Sequence, residues 1–359
     1  GNLDKIELMD NPPARFDAAG SGVINIKLKK NRMAGFTGSI ISGYNQGRNA
    51  RTNNSINLNY NNKKVNIYSN LGYSYDKNYG IDNFNRNYFN SAGENTENIL
   101  LDNDQVYSSK GMNANLGMDY SVGTNTTLGL QANINGGIND GETLSLSRNY
   151  GLATLDSTGR GWSVAKGSRK NLMTNLNILH KFGSKGGELS ADASYLNYSG
   201  ELDQIIDNEI FKSDGTLKNT QDLWYDLPSG MDIFTVKGDY SVSLARKIRL
   251  EAGLKWSTAY NDNLNNSYRT MGGQQVIDNG RSNHFKYRED FSGGYVSGQK
   301  AWDRFGIQLG LRAEHTYGRA QQMGNGAVAG SSFEKSYLQL FPSVFFTYKF
   351  DTVSRNSLT

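Results

Sequence analysis

The sequence predicts an all-β chain, a transmembrane antiparallel up-and-down β-barrel, and three observations predict it. Apolar and polar residues alternate with a period of two: Ile248, Leu250, Ala252, Leu254 and Trp256 take one parity, Arg249, Glu251, Gly253, Lys255 and Ser257 the other. That is strand periodicity without an exception. Connections between such windows alternate between short, Gly- and Asn-rich turns and long polar segments, as in barrels with turns on one side of a membrane and loops on the other. Finally, hydrophobic residues make up only 36% of the chain, with 41 Gly, yet 21 Tyr and 15 Phe are present. This is too polar for a soluble core and too aromatic for disorder. It suits strands of which every second residue meets an apolar medium.

In chain order, Leu3 to Met9 reads as a short strand, Asn11-Pro12-Pro13 as a break, Gly20-Ser21-Gly22 as a flexible turn and Val23 to Leu28 as a second strand. About 12 longer strands follow, near 35–49, 50–61, 65–78, 106–122, 126–140, 165–182, 187–202, 230–244, 247–262, 285–300, 305–319 and 336–350. The clearest after 247–262 are 305–319, where Phe305, Ile307, Leu309 and Leu311 interleave with Gly306, Gln308, Gly310 and Arg312, and 106–122, where Met112, Ala114, Leu116 and Met118 interleave with Asn113, Asn115, Gly117 and Asp119. Short turns are expected at Asn61 to Lys64, Gly123 to Asn125, Gly183 to Gly186, Ala245 to Arg246, Ala301 to Arg304 and Asp351 to Asn356. Long polar loops are expected at 79–105, 141–164, 203–229, 263–284 and 320–335. Around Asn49 the outer connection is short.

Aromatic residues fall at two heights. Phe182, Tyr348 and Phe350 lie beside short turns, while Tyr73, Tyr75, Trp256 and Tyr260 lie higher on their strands, the places of two interfacial girdles. The polar parity, including Arg249, Glu251, Lys255, Gln308, Arg312 and Glu314, is then expected to face the lumen as solvated wall or plug contacts. No run approaches about 18 apolar residues, so no helix is expected to cross a membrane.

Pro13-Ala14-Arg15-Phe16-Asp17-Ala18, preceded by Ile6-Glu7-Leu8 and followed by Gly20-Ser21-Gly22-Val23-Ile24-Asn25-Ile26, resembles the end of the plug domain of TonB-dependent receptors, in the branch called the outer membrane β-barrel family. Leu340-Phe341-Pro342-Ser343 resembles the Phe-Pro step of a mid-barrel strand in that family. The resemblance implies a plug motif of Pro13, Ala14, Asp17, Gly20, Gly22 and Asn25. It implies that 1–31 is the C-terminal end of a plug and 32–359 the N-terminal part of an incomplete barrel, whose full form in the family has roughly 22 strands. It also implies an outer-membrane receptor of a Gram-negative bacterium, with long loops extracellular and short turns periplasmic. Such a receptor imports a nutrient of the siderophore, glycan or peptide class, powered by the TonB complex through a segment ahead of the plug. Lipid and lipopolysaccharide surround it. The alternative is a barrel with a surface-binding or structural role, in a larger assembly or with a surface lipoprotein, and no active import.

Loop aromatics Tyr79, Phe84, Tyr88, Phe89, Trp224 and Tyr225 offer stacking faces for such a ligand, against ordinary loop packing as the plainer reading. Catalysis finds little footing. His180, His284 and His315 lack metal-ligand spacing, Asp102 and Asp104 lack the calcium-loop pattern, no Gly-x-Ser-x-Gly elbow or Gly-Lys pair occurs, and Cys is absent. The expectation is no enzyme, no metal and no cofactor. A net charge of +4 without a basic block, the densest cluster being Lys27, Lys29 and Lys30, argues against nucleic acid.

Overall fold

The computed structural model describes residues 3–9, 13–17, 22–28, 34–152, 154–183, 186–244, 247–350 and 357–358. Asn11, Pro12, Ala18, Gly20, Ser21, Lys29, Lys30 and the expected turns at Ala245-Arg246 and Asp351 to Asn356 lie outside the described residues. β1 (Leu3–Met9) and β2 (Val23–Leu28) form an antiparallel pair of their own, with Glu7 opposite Asn25. The remaining strands form one 15-stranded antiparallel sheet. They are β3 (Gly35–Gln46), β4 (Ala50–Asn61), β5 (Val65–Phe89), β6 (Asn95–Val122), β7 (Thr126–Gly151), β8 (Thr154–Lys181), β9 (Glu188–Lys212), β10 (Leu217–Asp226), β11 (Ser229–Leu244), β12 (Ile248–Met271), β13 (Gln274–Ile277), β14 (Asn283–Ala301), β15 (Phe305–Met323), β16 (Ser331–Lys349) and β17 (Ser357–Leu358). Among the described residues no ladder joins β3 to β16 or β17.

All 12 expected windows are strands, and sequential neighbours pair up and down. The short turns are built as their residues suggest. The Asn62 side chain accepts from the Lys64 and Val65 amides at 2.8 and 2.7 Å, and Gly123 turns with φ 70°, a conformation that costs glycine little.

The long loops are a correction. Most of 79–105, 141–164, 203–229, 263–284 and 320–335 continues the ladders. β5 and β6 stay paired to Phe89 and Asn95, β7 and β8 to Gly151 and Thr154, and β9 pairs onward with β10. Beyond the apolar band both faces of a hairpin are wet, so its sequence loses the alternation while its backbone hydrogen bonds, which need no particular side chain, persist. β10 and β11 are one strand interrupted at Leu227-Pro228. Pro228 has no amide to give, but its carbonyl accepts from Leu264 at 3.0 Å.

The two faces of the sheet differ completely. One carries large apolar side chains left open, among them Ile40 (77% exposed), Leu254 (74%) and Leu338 (66%). Buried hydrophobics among the described residues are only Ala14, Leu223 and Tyr295. A side chain of this size gains about 1.5–3 kcal/mol on leaving water, so a continuous belt of them is a surface for hydrocarbon. The girdle aromatics lie on this same face. Trp302 and Phe305 (centroids 5.5 Å apart) and Tyr348 and Phe350 (5.5 Å) mark its short-turn end, Phe234 and Trp256 (5.8 Å) the other.

Candidate functional site

The opposite face is called inner here because residues 13–17 sit on it. The seat begins with alternation: Lys255 on β12 and Arg312 and Glu314 on β15 take the polar parity and so project together. Register then fixes a row, since Asp239 lies opposite Gly253, Gly253 opposite Tyr295, and Tyr295 opposite Arg312. Tyr295 crosses the bare Gly253 to donate to Asp239 Oδ1 at 2.8 Å, and Asp239 pairs with Lys237 at 2.9 Å.

Residues 13–17 close a turn through the Phe16 amide, which donates to the Pro13 carbonyl at 3.0 Å. Ala14, buried, lies directly over Gly310. A Cβ there would stand 2.8 Å from the Ala14 Cβ and 2.6 Å from Ser343 Oγ, so only glycine permits the approach. Arg312, 3% exposed, holds the segment. Its Nη1 donates to the Ala14 carbonyl (3.4 Å), its Nη2 to Asp17 Oδ1 (2.7 Å) and its Nε to Glu314 Oε1 (2.5 Å). Lys255 pairs with the other Asp17 oxygen and stands 5.3 Å from the Phe291 ring centroid. One guanidinium thus satisfies two carboxylates and a carbonyl in a nearly dry place, which charge burial requires. Chemically the arrangement is a clasp: ion pairs and one close backbone approach hold residues 13–17 against the wall.

The structure brings together Pro13, Ala14 and Asp17 with Lys255, Arg312 and Glu314. Asn25 is elsewhere, donating to Glu7 at 2.7 Å within the β1–β2 pair; Gly22 precedes β2 and Gly20 lies outside the described residues. The aromatic candidates do not converge. Tyr79 donates to Asp104 at 2.9 Å with Arg48 over its ring, while Phe84 and Tyr88 have the other parity on β5. Trp224 stacks on Tyr268 (4.5 Å, 23°), and Tyr225 takes the opposite face of β10. Strand alternation turns them to different faces. The histidines stay apart, bonded to Thr126, Asp262 and Ser336 respectively, and among the described residues no three His, Asp or Glu side chains converge as metal ligands. Tyr295 and Asp239 were missed; Tyr295 in the polar parity, beside glycines, was the available signal.

A comparison with curated proteins finds no match. Among solved structures, the outer membrane protease OmpT from Escherichia coli is similar over 80% of this chain and 97% of that one, at 9% identity and a TM-score of 0.24, too distant to argue from. The family model described as the outer membrane protein beta-barrel family matches residues 180–359, half of the chain, including β9 to β16 and thus every wall residue of the clasp. With an apolar outer face, a polar inner face and an antiparallel sheet, the chain belongs to the outer membrane protein β-barrel family, whose place is the outer membrane of Gram-negative bacteria.

Proposed function

We propose that the protein is an importing receptor of the TonB-dependent kind, in which residues 13–17 belong to a plug. The observation that carries this reading is the clasp: a segment from ahead of the first barrel strand, held on the inner wall by Asp17, Arg312 and Lys255. A chain seated in a lumen obstructs it, and an ion-paired contact is one that an applied pull can break and water can remake. In this reading the extended hairpins face outward and gather a siderophore, glycan or peptide ligand, the short turns face the periplasm, and the TonB complex supplies the pull. No catalytic step is involved.

Deletion of the gene is expected to abolish growth on one scarce nutrient. Restoring it with Asp17→Asn is expected to admit large antibiotics normally excluded, because the seat is loosened. If deletion leaves growth on every tested nutrient unchanged, while the protein had been intact in the membrane, import is wrong. The second reading, a surface-binding or structural barrel working with a surface lipoprotein or larger assembly, is favoured by one observation: the hairpins extend well beyond the apolar band, with β5 and β6 paired as far as Phe89 and Asn95. It takes over on that outcome.

A further inference from the structure

We propose that the inner face of β4 to β6 is a contact surface for the imported solute, and that it takes an uncharged, hydroxyl-rich molecule, an oligosaccharide in chemical class. This rests on the import reading above and adds the substrate chemistry to it. Three amides form a relay across four strands. Asn113 on β6 donates to Asn70 Oδ1 at 2.9 Å, Asn70 on β5 to Asn57 Oδ1 at 2.5 Å, and Asn57 on β4 to Ser39 Oγ on β3 at 3.3 Å. A carboxamide has two N–H donors and two acceptor positions. Asn57 and Asn70 each spend one of each in the relay, keeping one donor and one acceptor, the same pair that a sugar hydroxyl offers in return.

Beside the relay lies a stacking platform. Tyr68 stands opposite Gly117, and a Cβ on Gly117 would overlap the Tyr68 ring. The ring therefore lies along the wall, one side against Gly117 and the other toward the lumen. Asn113 lies over Gly72 in the same way, so amide and aromatic planes pave the surface. Flat aromatic faces next to amides suit a pyranose, whose C–H face stacks while its rim hydroxyls bond.

Charge is absent from the patch. On the inner parity of these strands it enters on either side of the patch, with Asp119, which accepts from Asn66 at 3.1 Å, and with the Arg51–Asp76 pair at 3.6 Å, followed farther along the hairpin by Asp82, Arg86 and Glu97. An anionic chelate or a zwitterionic peptide would shed water here without meeting a counter-charge. A hydroxyl exchanges one hydrogen bond for another.

The test uses the full-length protein purified in detergent, with isothermal titration of hexaoses of glucose, mannose and xylose, and of hexagalacturonate and ferrioxamine as charged probes. At least one neutral hexaose is expected to bind. Tyr68→Ala and Asn70→Leu are expected to weaken it tenfold or more, Tyr68→Phe less than threefold, and Arg249→Gln, in the other half of the wall and outside the clasp, less than twofold. Heat-modifiable migration on gels identifies the variants that are folded. Gly117→Val, which tilts the ring without removing it, gives an independent loss of binding. Binding of a charged probe alone, no binding of any neutral hexaose, or full binding by Tyr68→Ala overturns the proposal. A Tyr68-dependent sugar whose use survives deletion of the gene removes import but keeps the surface, whereas a deletion defect in chelate use without sugar binding does the reverse.

Discussion

The inner wall has two halves made by different rules. Across β11 to β15 it is ionic: Lys237 with Asp239, Arg249 with Glu251 at 2.8 Å, Lys255 and Arg312 with Asp17. Across β4 to β6 it is amide: Asn57, Asn70 and Asn113 pass single hydrogen bonds sideways. Both halves alternate with the same period and both line the same face. The difference follows residues 13–17, which lie on the ionic half. A buried charge is tolerated only where a partner repays its lost hydration, so guanidinium and carboxylates concentrate where the crossing segment brings Asp17. Where none of the described residues ahead of β3 pairs with the wall, neutral amides satisfy themselves and leave hydrogen-bonding capacity over.

The largest expected effect tests whether the ionic half is a buried unit. Arg312→Leu strips Glu314 and Asp17 of their guanidinium and is expected to cost about 3–5 kcal/mol, read as a fall in the urea midpoint of protein folded into lipid vesicles. A midpoint unchanged from wild type would break the contrast between the halves. Next comes the contrast between faces: Leu254→Arg, on the apolar side, is expected to cost about 2–4 kcal/mol at mid-depth. Lys255→Leu, its chain neighbour on the inner side, leaves Asp17 its buried partner Arg312 and is expected to lower folding yield far less. Equal yields would reverse the inner and outer assignment.

The amide half should respond more mildly. Asn70→Leu removes one hydrogen bond given and one received, about 1–2 kcal/mol in sum, and the same urea series measures it. A loss as large as that of Arg312→Leu would mean that the relay is a core element and the two halves are alike. The smallest effect lies far beyond the apolar band, where Asp207 and Asp222 stand directly opposite each other on β9 and β10. Burial first, then the Asp222 charge, raises the Asp207 pKa above its ordinary value. A raised carboxylate pKa means that the folded hairpin resists the charged form, so it gains stability as pH falls through the range just above 3.8 and loses it toward neutrality. Asp222→Asn is expected to stabilise the hairpin at neutral pH by about 0.2–1 kcal/mol, seen as slower protease cleavage between β9 and β10. Faster cleavage would show that the pair is held by something other than repulsion relieved by acid.

Strand identity was legible because one face of every spanning strand must satisfy hydrocarbon, which writes period two into Ile248 to Ser257 and Phe305 to Glu314. The hairpin extensions were not legible: at Asn83, Asn85 and Arg86 both sides meet water and the alternation that marks a strand has no cause. The candidate site divides in the same way. Lys255 and Arg312 could be placed on the polar side from sequence and Asp17 in the plug-like motif, but 295 residues separate Asp17 from Arg312, and no local pattern pairs them. Trp224 and Tyr225 were expected in a loop, whereas a strand turns them to opposite faces.

The sequence by itself determined that this is a β-structure with one apolar and one polar face, because side-chain direction along a strand is a local property of the backbone. Tertiary structure alone decided which polar residues meet. The register of β11 to β15 sets Tyr295 beside Arg312 and Asp239 across Gly253, and the path of residues 13–17 delivers Asp17 to that row. Those are contacts between distant parts of the chain, fixed by hydrogen-bond register and charge pairing, neither of which any short stretch of residues contains.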